Sequence, residues 1–269
     1  MNNLGKKSII VKLGGSVITL KDEFESANIP VIRRIISELL EVKLLFPLII
    51  VHGGGSFGHP HAYKYKLHEG FKNSDQLFGV VKTREAMLRL NSIVCNELLN
   101  AGFQPFPFQP SSFIATRNGE IEIADISLVE WAMKLGFTPV LYGDIVLDYE
   151  HGFYILSGDK ICSYLVTKLN VERVVFACDV DGIYTSDPKR DPAAKLVRKL
   201  TLSEISKFLD NVFSTYTFDV TGGMRSKLIE ARKIVSMGVE VRIVNALIPG
   251  RLISAIRDQD FYGSKVVLN

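Results

Sequence analysis

An α/β fold is predicted here, specifically a three-layer α/β/α sandwich around a mostly parallel central sheet. Three observations predict it. Short Val- and Ile-rich runs alternate with longer amphipathic stretches, the runs are bounded by Gly, Asp or Pro, and no repeat or flexible linker divides the 269 residues. Strands alternating with helices argue for a mostly parallel sheet, so the strands are read as covered on both faces. One domain spanning 1–269 is expected.

Taken in chain order, SIIVKL (8–13), PLIIV (47–51), TPVLY (138–142), RVVFAC (173–178) and VEVRIV (239–244) read as buried strands. Helical periodicity occupies 29–45, 76–102, 125–136, 158–170, 201–209 and 222–238. The second of these is long and amphipathic, and Gly102 stands where it should stop; Gly238 plays the same part for the last. RNGEIEI (117–123) and DIVLDYEHGFYIL (144–156) read instead as hairpins, the first turning at Asn118-Gly119.

Composition narrows the class of function. The chain is 47% hydrophobic, and its 32 Lys plus Arg exceed its 29 Asp plus Glu by a formal charge of only +3, too little to imply a nucleic-acid or membrane partner. Cys95, Cys162 and Cys178 are widely spaced and fit no metal-ligand pattern, as expected of free thiols in a reducing compartment. No signal-peptide pattern opens the sequence and no apolar run reaches about 18 residues. A cytoplasmic protein is expected.

Glycine stands at nearly every strand-to-helix junction: Gly14-Gly15, Gly53-Gly54-Gly55, Gly143, Gly158, Gly182 and Gly222-Gly223. In open α/β sheets these junctions share the edge where ligands bind, and bare backbone amides there suit anions. VHGGGSFG contains G-x-G-x-x-G after a strand, with Asp75 downstream, which is the dinucleotide fingerprint. That reading leaves the earlier KLGGS loop and the other glycine loops without a role, and no P-loop motif occurs. Lys12 lies inside the apolar run IIVKLGG, and a buried ammonium needs an anionic partner. Lys21 follows nearby.

The set KLGGSVIT, VHGGGSFGH, SGD, DVDGIYTSDP and TGGM-x-x-K, in this order, resembles the amino-acid kinase superfamily. SVIT-x-K, GGGSFGH with Ala62 beyond it, and SGD are most similar to its isopentenyl phosphate kinase branch. Leu20 departs from the polar residue expected before the lysine. The resemblance implies transfer of the γ-phosphoryl of ATP, with Mg²⁺ held by phosphate oxygens and water rather than by protein ligands, onto isopentenyl phosphate. Another small phosphate, phosphonate or carboxylate acceptor, an oxidoreductase, and a non-catalytic nucleotide binder are the alternatives. An acceptor phosphomonoester is largely deprotonated at neutral pH, its second pKa being about 6, so no general base is needed.

Roles follow from the resemblance. Lys12, Leu13, Gly14, Gly15 and Ser16 match the ATP-phosphate loop, and Lys21 the group that stabilises the transition state. Gly54 and Gly158 would hold the acceptor, Gly55 would face ATP, and His59 would donate to the acceptor phosphate as an imidazolium. Asp179 or Asp181 matches a nucleotide-side acid, and Gly223 and Lys227 would grip nucleotide phosphates. The region of about 1–170 would bind the acceptor and 171–269 ATP, and a homodimer is implied, with helix 76–101 a possible interface. From the residues themselves, His52 is read as structural, His61 as surface or supporting, and His68 and His151 as surface. Asp144 is read as orienting lysines, with capping of a hairpin the alternative, and Asp187-Pro188 and Asp191-Pro192 as turns. Phe71, Leu77, Phe78, Val81 and Met87 are candidates for the walls of an acceptor-tail pocket.

Overall fold

The computed structural model describes residues 6–186, 188, 191–212, 222–257 and 259–269, so Asp187 and Thr221 of the motifs above lie outside the described residues. Its strands are β1 (Ser8–Leu13), β2 (Leu48–His52), β3 (Pro105–Pro107), β4 (Ile114–Arg117), β5 (Glu120–Ala124), β6 (Thr138–Tyr142), β7 (Asp144–Asp148), β8 (Gly152–Leu156), β9 (Val171–Cys178), β10 (Ile183–Tyr184), β11 (Leu196–Val197), β12 (Lys199–Thr201), β13 (Glu240–Asn245) and β14 (Gly263–Val267). The helices are α1 (Gly15–Ile18), α2 (Ile29–Leu40), α3 (Gly55–Lys64), α4 (Ser74–Asn100), α5 (Ser127–Leu135), α6 (Gly158–Lys168), α7 (Leu202–Val212), α8 (Gly222–Ser236) and α9 (Arg251–Ile256).

One sheet runs β12-β14-β13-β9-β1-β2-β6-β3, parallel except at β13–β14. β1 sits centrally between β9 and β2. The chain leaves it toward one side and returns to the other, which opens a crevice at its carboxyl end. Register brings the junctions level there: Leu13 lies opposite His52 on one side and Ala177 on the other. The Gly53 amide donates to the Leu13 carbonyl at 2.9 Å, and the Gly143 amide to the His52 carbonyl at 2.9 Å.

Alternation along the strands supplies both faces. Ile9, Val11 and Leu13 pack with α2, α4 and α9 residues such as Ile35, Leu90 and Leu252. Ile10 packs with α6 and α8 residues such as Leu165 and Leu228. Side chains two apart on a strand share a face, so Lys12 points with Ile10 into the α6–α8 layer.

The hairpins form a second sheet, β5-β4-β7-β8, whose β4 and β7 pair in parallel. Asn118 and Gly119, at φ 49° and 76°, make the turn that the Asn-Gly pair predicts. Among the elements that the sequence patterns do not predict are α3 and β3. The triglycine stretch does more than turn, for α3 begins at Gly55 and continues through Pro60. The glycines that hide this helix from propensity are imposed by close packing at its start, and Pro60 lowers its propensity further. The edge strand β3 carries no strand pattern, because two of its residues are prolines, tolerated only where no neighbour needs an amide.

Candidate active site

A cleft of about 850 Å³ lies across the carboxyl ends of β1, β2, β6 and β9. Helices α1, α3, α6 and α8 all begin at its rim, and first-turn amides have no partner within their own helix. Their N-terminal ends add positive potential where an anion would sit.

Two glycine loops touch backbone to backbone. A β-carbon on Gly15 would lie 2.2 Å from the Gly55 amide nitrogen, and one on Gly55 would lie 2.1 Å from Thr19 Oγ1. Gly55 also has φ +48°, where side chains other than glycine are strained. Thr19 completes the junction, accepting from the Ser56 amide at 3.0 Å and donating to the Gly15 carbonyl at 2.8 Å. The run of glycines is therefore the condition for bringing the loops after β1 and β2 into contact.

Below them Asp159 lies between two ammonium groups, at 2.9 Å from Lys12 Nζ and 2.8 Å from Lys227 Nζ. All three side chains are nearly buried. Burial alone would raise the Asp159 pKa, yet Lys12 and Lys227 hold it down at about 2. Burial likewise works against the Lys227 charge, and Asp159 raises its pKa above the ordinary value despite that. Lys227 Nζ also sits 4.6 Å over the Phe176 ring. The arrangement carries a net positive charge aimed into the cleft.

A second pair is open. Lys21 Nζ meets Asp179 Oδ2 at 2.5 Å, and the Ser16 hydroxyl donates to Asp179 Oδ1 at 2.9 Å. Burial opposes the Asp179 charge, but these donors lower its pKa overall.

The sequence candidates separate on this geometry. Lys12, Gly14, Gly15, Ser16, Lys21, Gly54, Gly55, His59, Gly158, Asp179, Gly223 and Lys227 all line the cleft. Leu13 does not: its side chain is in the core, because strand alternation turns it away from Lys12. The Gly14 amide is engaged by the Ala177 carbonyl at 2.8 Å, leaving that amide no hydrogen for a ligand. Between the two acids left open, Asp179 faces the cleft. Asp181 is outside the lining, tied to Arg251, to Asn245 at 3.0 Å and to Tyr184 at 3.1 Å. His59 reaches solvent at the rim, but burial among its neighbours and then Lys12 lower its pKa, so these surroundings favour neutral imidazole rather than imidazolium.

Asp144 does not orient lysines. It is buried, accepting from the Ser111 amide at 3.2 Å and the Ile145 amide at 2.8 Å, with Arg84 3.9 Å away. Asp159 holds the lysine-orienting position instead, and its sequence signal is the third letter of SGD. His52 is structural as expected: Nδ1 donates to the Gly53 carbonyl at 3.0 Å, its ring stacks on Tyr142, and burial lowers its pKa to about 4. Phe71, Leu77, Phe78 and Val81 do not line the cleft and are about half exposed. Of the proposed tail walls only Met87 faces it, joined by Pro60, Ala62, Ile145, Ile155 and Leu156 at an apolar end.

Comparison with known proteins agrees with this geometry. The model of the amino acid kinase family matches residues 7–245. The isopentenyl phosphate kinase of Methanothermobacter thermautotrophicus is 40% identical over 96% of this chain and 98% of its own. That of Arabidopsis thaliana is 30% identical over 88% of this chain and 86% of its own. A crystal structure of isopentenyl phosphate kinase superposes with a TM-score of 0.83 at 37% identity, covering 97% of this chain and all of that one. The product complex of the Thermoplasma acidophilum isopentenyl phosphate kinase superposes at 0.79 with 31% identity, covering 97% of this chain and all of that one. Contacting glycine loops, two buried lysines sharing one carboxylate and this agreement over nearly the whole length lead to one conclusion: the chain belongs to the amino acid kinase family, among its isopentenyl phosphate kinases.

Proposed function

We propose that this chain transfers the γ-phosphoryl of ATP directly onto the phosphate of isopentenyl phosphate, giving isopentenyl diphosphate without a covalent enzyme intermediate. The observation that carries the reading is the buried Lys12–Asp159–Lys227 group beneath two glycine loops in contact, with an apolar pocket end beside Gly54. Two phosphorylated molecules meeting there repel each other, and fixed ammonium and amide donors offset that repulsion without reorganising.

In this reading residues up to about 170 receive the acceptor and 171–269 receive ATP. Lys12 and Lys227 stabilise charge on the transferred group from below. Lys21, on the open side, exchanges Asp179 for the transferring oxygens. His59 donates to the acceptor phosphate; an approaching dianion favours the imidazolium that burial and Lys12 disfavour. Mg²⁺ would neutralise nucleotide phosphate oxygens. In this reading those oxygens and water supply its ligands, and Asp179 is the more exposed carboxylate of the cleft. The reading extends to a cytoplasmic homodimer; among the described residues no helix is long and apolar enough to cross a membrane.

The test is incubation of purified protein with labelled ATP and Mg²⁺ against isopentenyl phosphate, its homologues, fosfomycin and acetylglutamate. Preferred labelling of isopentenyl phosphate is expected, and exclusive labelling of another acceptor overturns the assignment. His59→Ala should raise the KM for the acceptor far more than the KM for ATP; equal effects on both would remove His59 from the acceptor side.

A further inference from the structure

Lys21 is more than half exposed, yet it must be delivered accurately to the cleft, and the structure contains a device that does so. Lys21 lies on a loop closed by the Thr19–Ala27 bridge and by the Leu20 amide donating to the Ser26 carbonyl at 2.9 Å. At the loop's far side Glu25 has φ 48°, a conformation unfavourable for glutamate. Such an outlier persists where surrounding contacts over-determine it. Its amide donates to the Ser56 carbonyl at 3.1 Å, and Ser56 Oγ accepts from the Ser26 amide at 3.3 Å.

The Glu25 carboxylate then divides between two elements. Oε1 meets His61 Nε2 of α3 at 2.7 Å, and Oε2 accepts from Arg89 of α4 through Nη2 at 2.5 Å and Nε at 3.1 Å. His61 follows His59 by two residues, and Arg89 follows Met87 by two. Both earlier residues line the cleft. The carboxylate thus ties the Lys21 loop to the helix bearing Gly55 and His59 and to the helix forming the apolar end.

We propose that Glu25 is a positioning residue, which through His61 and Arg89 sets the Lys21 ammonium relative to the acceptor side of the cleft. This rests on the phosphoryl-transfer reading for its kinetic consequence, but not for its structural one. A loop set loose by an ångström would lower turnover while leaving ATP binding nearly intact.

The test compares Glu25→Gly, which removes the carboxylate and relieves the backbone, with Glu25→Gln, which keeps hydrogen-bonding capacity. Reductive ¹³C-methylation gives each lysine an NMR signal, and Lys21→Arg identifies that of Lys21. Glu25→Gly should stay folded, move the Lys21 signal toward its solvent-exposed value, and lower kcat about tenfold with the ATP KM within about twofold. Glu25→Gln should lose less on both readouts. If Glu25→Gly does not fold, Arg89→Gln, which leaves the loop backbone intact, should give the same changes in smaller size. An unmoved Lys21 signal with wild-type kcat overturns the proposal, as does a variant that only melts earlier. A wild type inactive on isopentenyl phosphate overturns the assigned acceptor instead, and the Lys21 signal still decides the role of Glu25.

Discussion

Beneath the glycine loops Asp159 lies between Lys12 and Lys227, with no side chain of the three above 10% exposure. At the rim of the same cleft Lys21 meets Asp179 with its own side chain 53% exposed. Chemically the pairs are alike, but their surroundings assign them different work. Removing one partner inside leaves an uncompensated buried charge, so the inner group is permanent framework. The outer pair is screened by water and breaks at little cost, which lets Lys21 change partners during a reaction. Placement, rather than residue type, separates a fixed electrostatic floor from a movable group.

The largest effect should come from the floor. Asp159→Ala leaves two ammonium groups facing each other, and the expected loss is about 3–5 kcal/mol of stability by urea denaturation. Activity should fall with it by about 10³-fold or more in kcat/KM. A stable Asp159→Ala variant would erase the distinction between the two pairs. Lys21→Ala should separate the properties. Turnover falls about 10²-fold or more, while the unfolding free energy changes by less than about 1 kcal/mol. A marked loss of stability there, with turnover retained, would invert the comparison.

The smallest effect is on the pH dependence of stability. Asp159 titrates near 2 in the fold and near 4 when unfolded, so its contribution is complete above about pH 4 and is lost as pH falls toward 2. That limb amounts to about 2 kcal/mol and should vanish in Asp159→Ala. His52 acts in a separate window. Its pKa is lowered to about 4 by burial, so the stability it supplies is complete above about pH 6.5 and declines as pH falls toward 4. Denaturant melts collected from pH 7 to pH 2 would resolve the two limbs.

Much of the site was readable in advance, for identifiable reasons. Lys12 stood out because an ammonium inside an apolar strand demands a partner, and the glycine clusters because such loops cost stability unless something needs the backbone. The misreadings share a different cause. Asp144 and Asp159 both follow a glycine at a strand end, and nothing local distinguishes the one that meets the lysines. Leu77, Phe78 and Val81 share the helical periodicity of Met87 and Phe71 just precedes that helix, but α4 turns only Met87 and Thr83 to the cleft. Helix α3 escaped notice because its opening glycines answer to contacts with Gly15 and Thr19 rather than to helix propensity.

By itself the sequence determined the alternation of strands and helices, the edge on which the glycines gather and the demand of Lys12 for an anion, since all three follow from local periodicity and solvation. Tertiary structure alone decided that Asp159 answers that demand, that Asp179 rather than Asp181 faces the cleft, and that Glu25 reaches both His61 and Arg89. Those pairings depend on which face each strand and helix presents after the chain has crossed the sheet. Distance along the chain does not encode that.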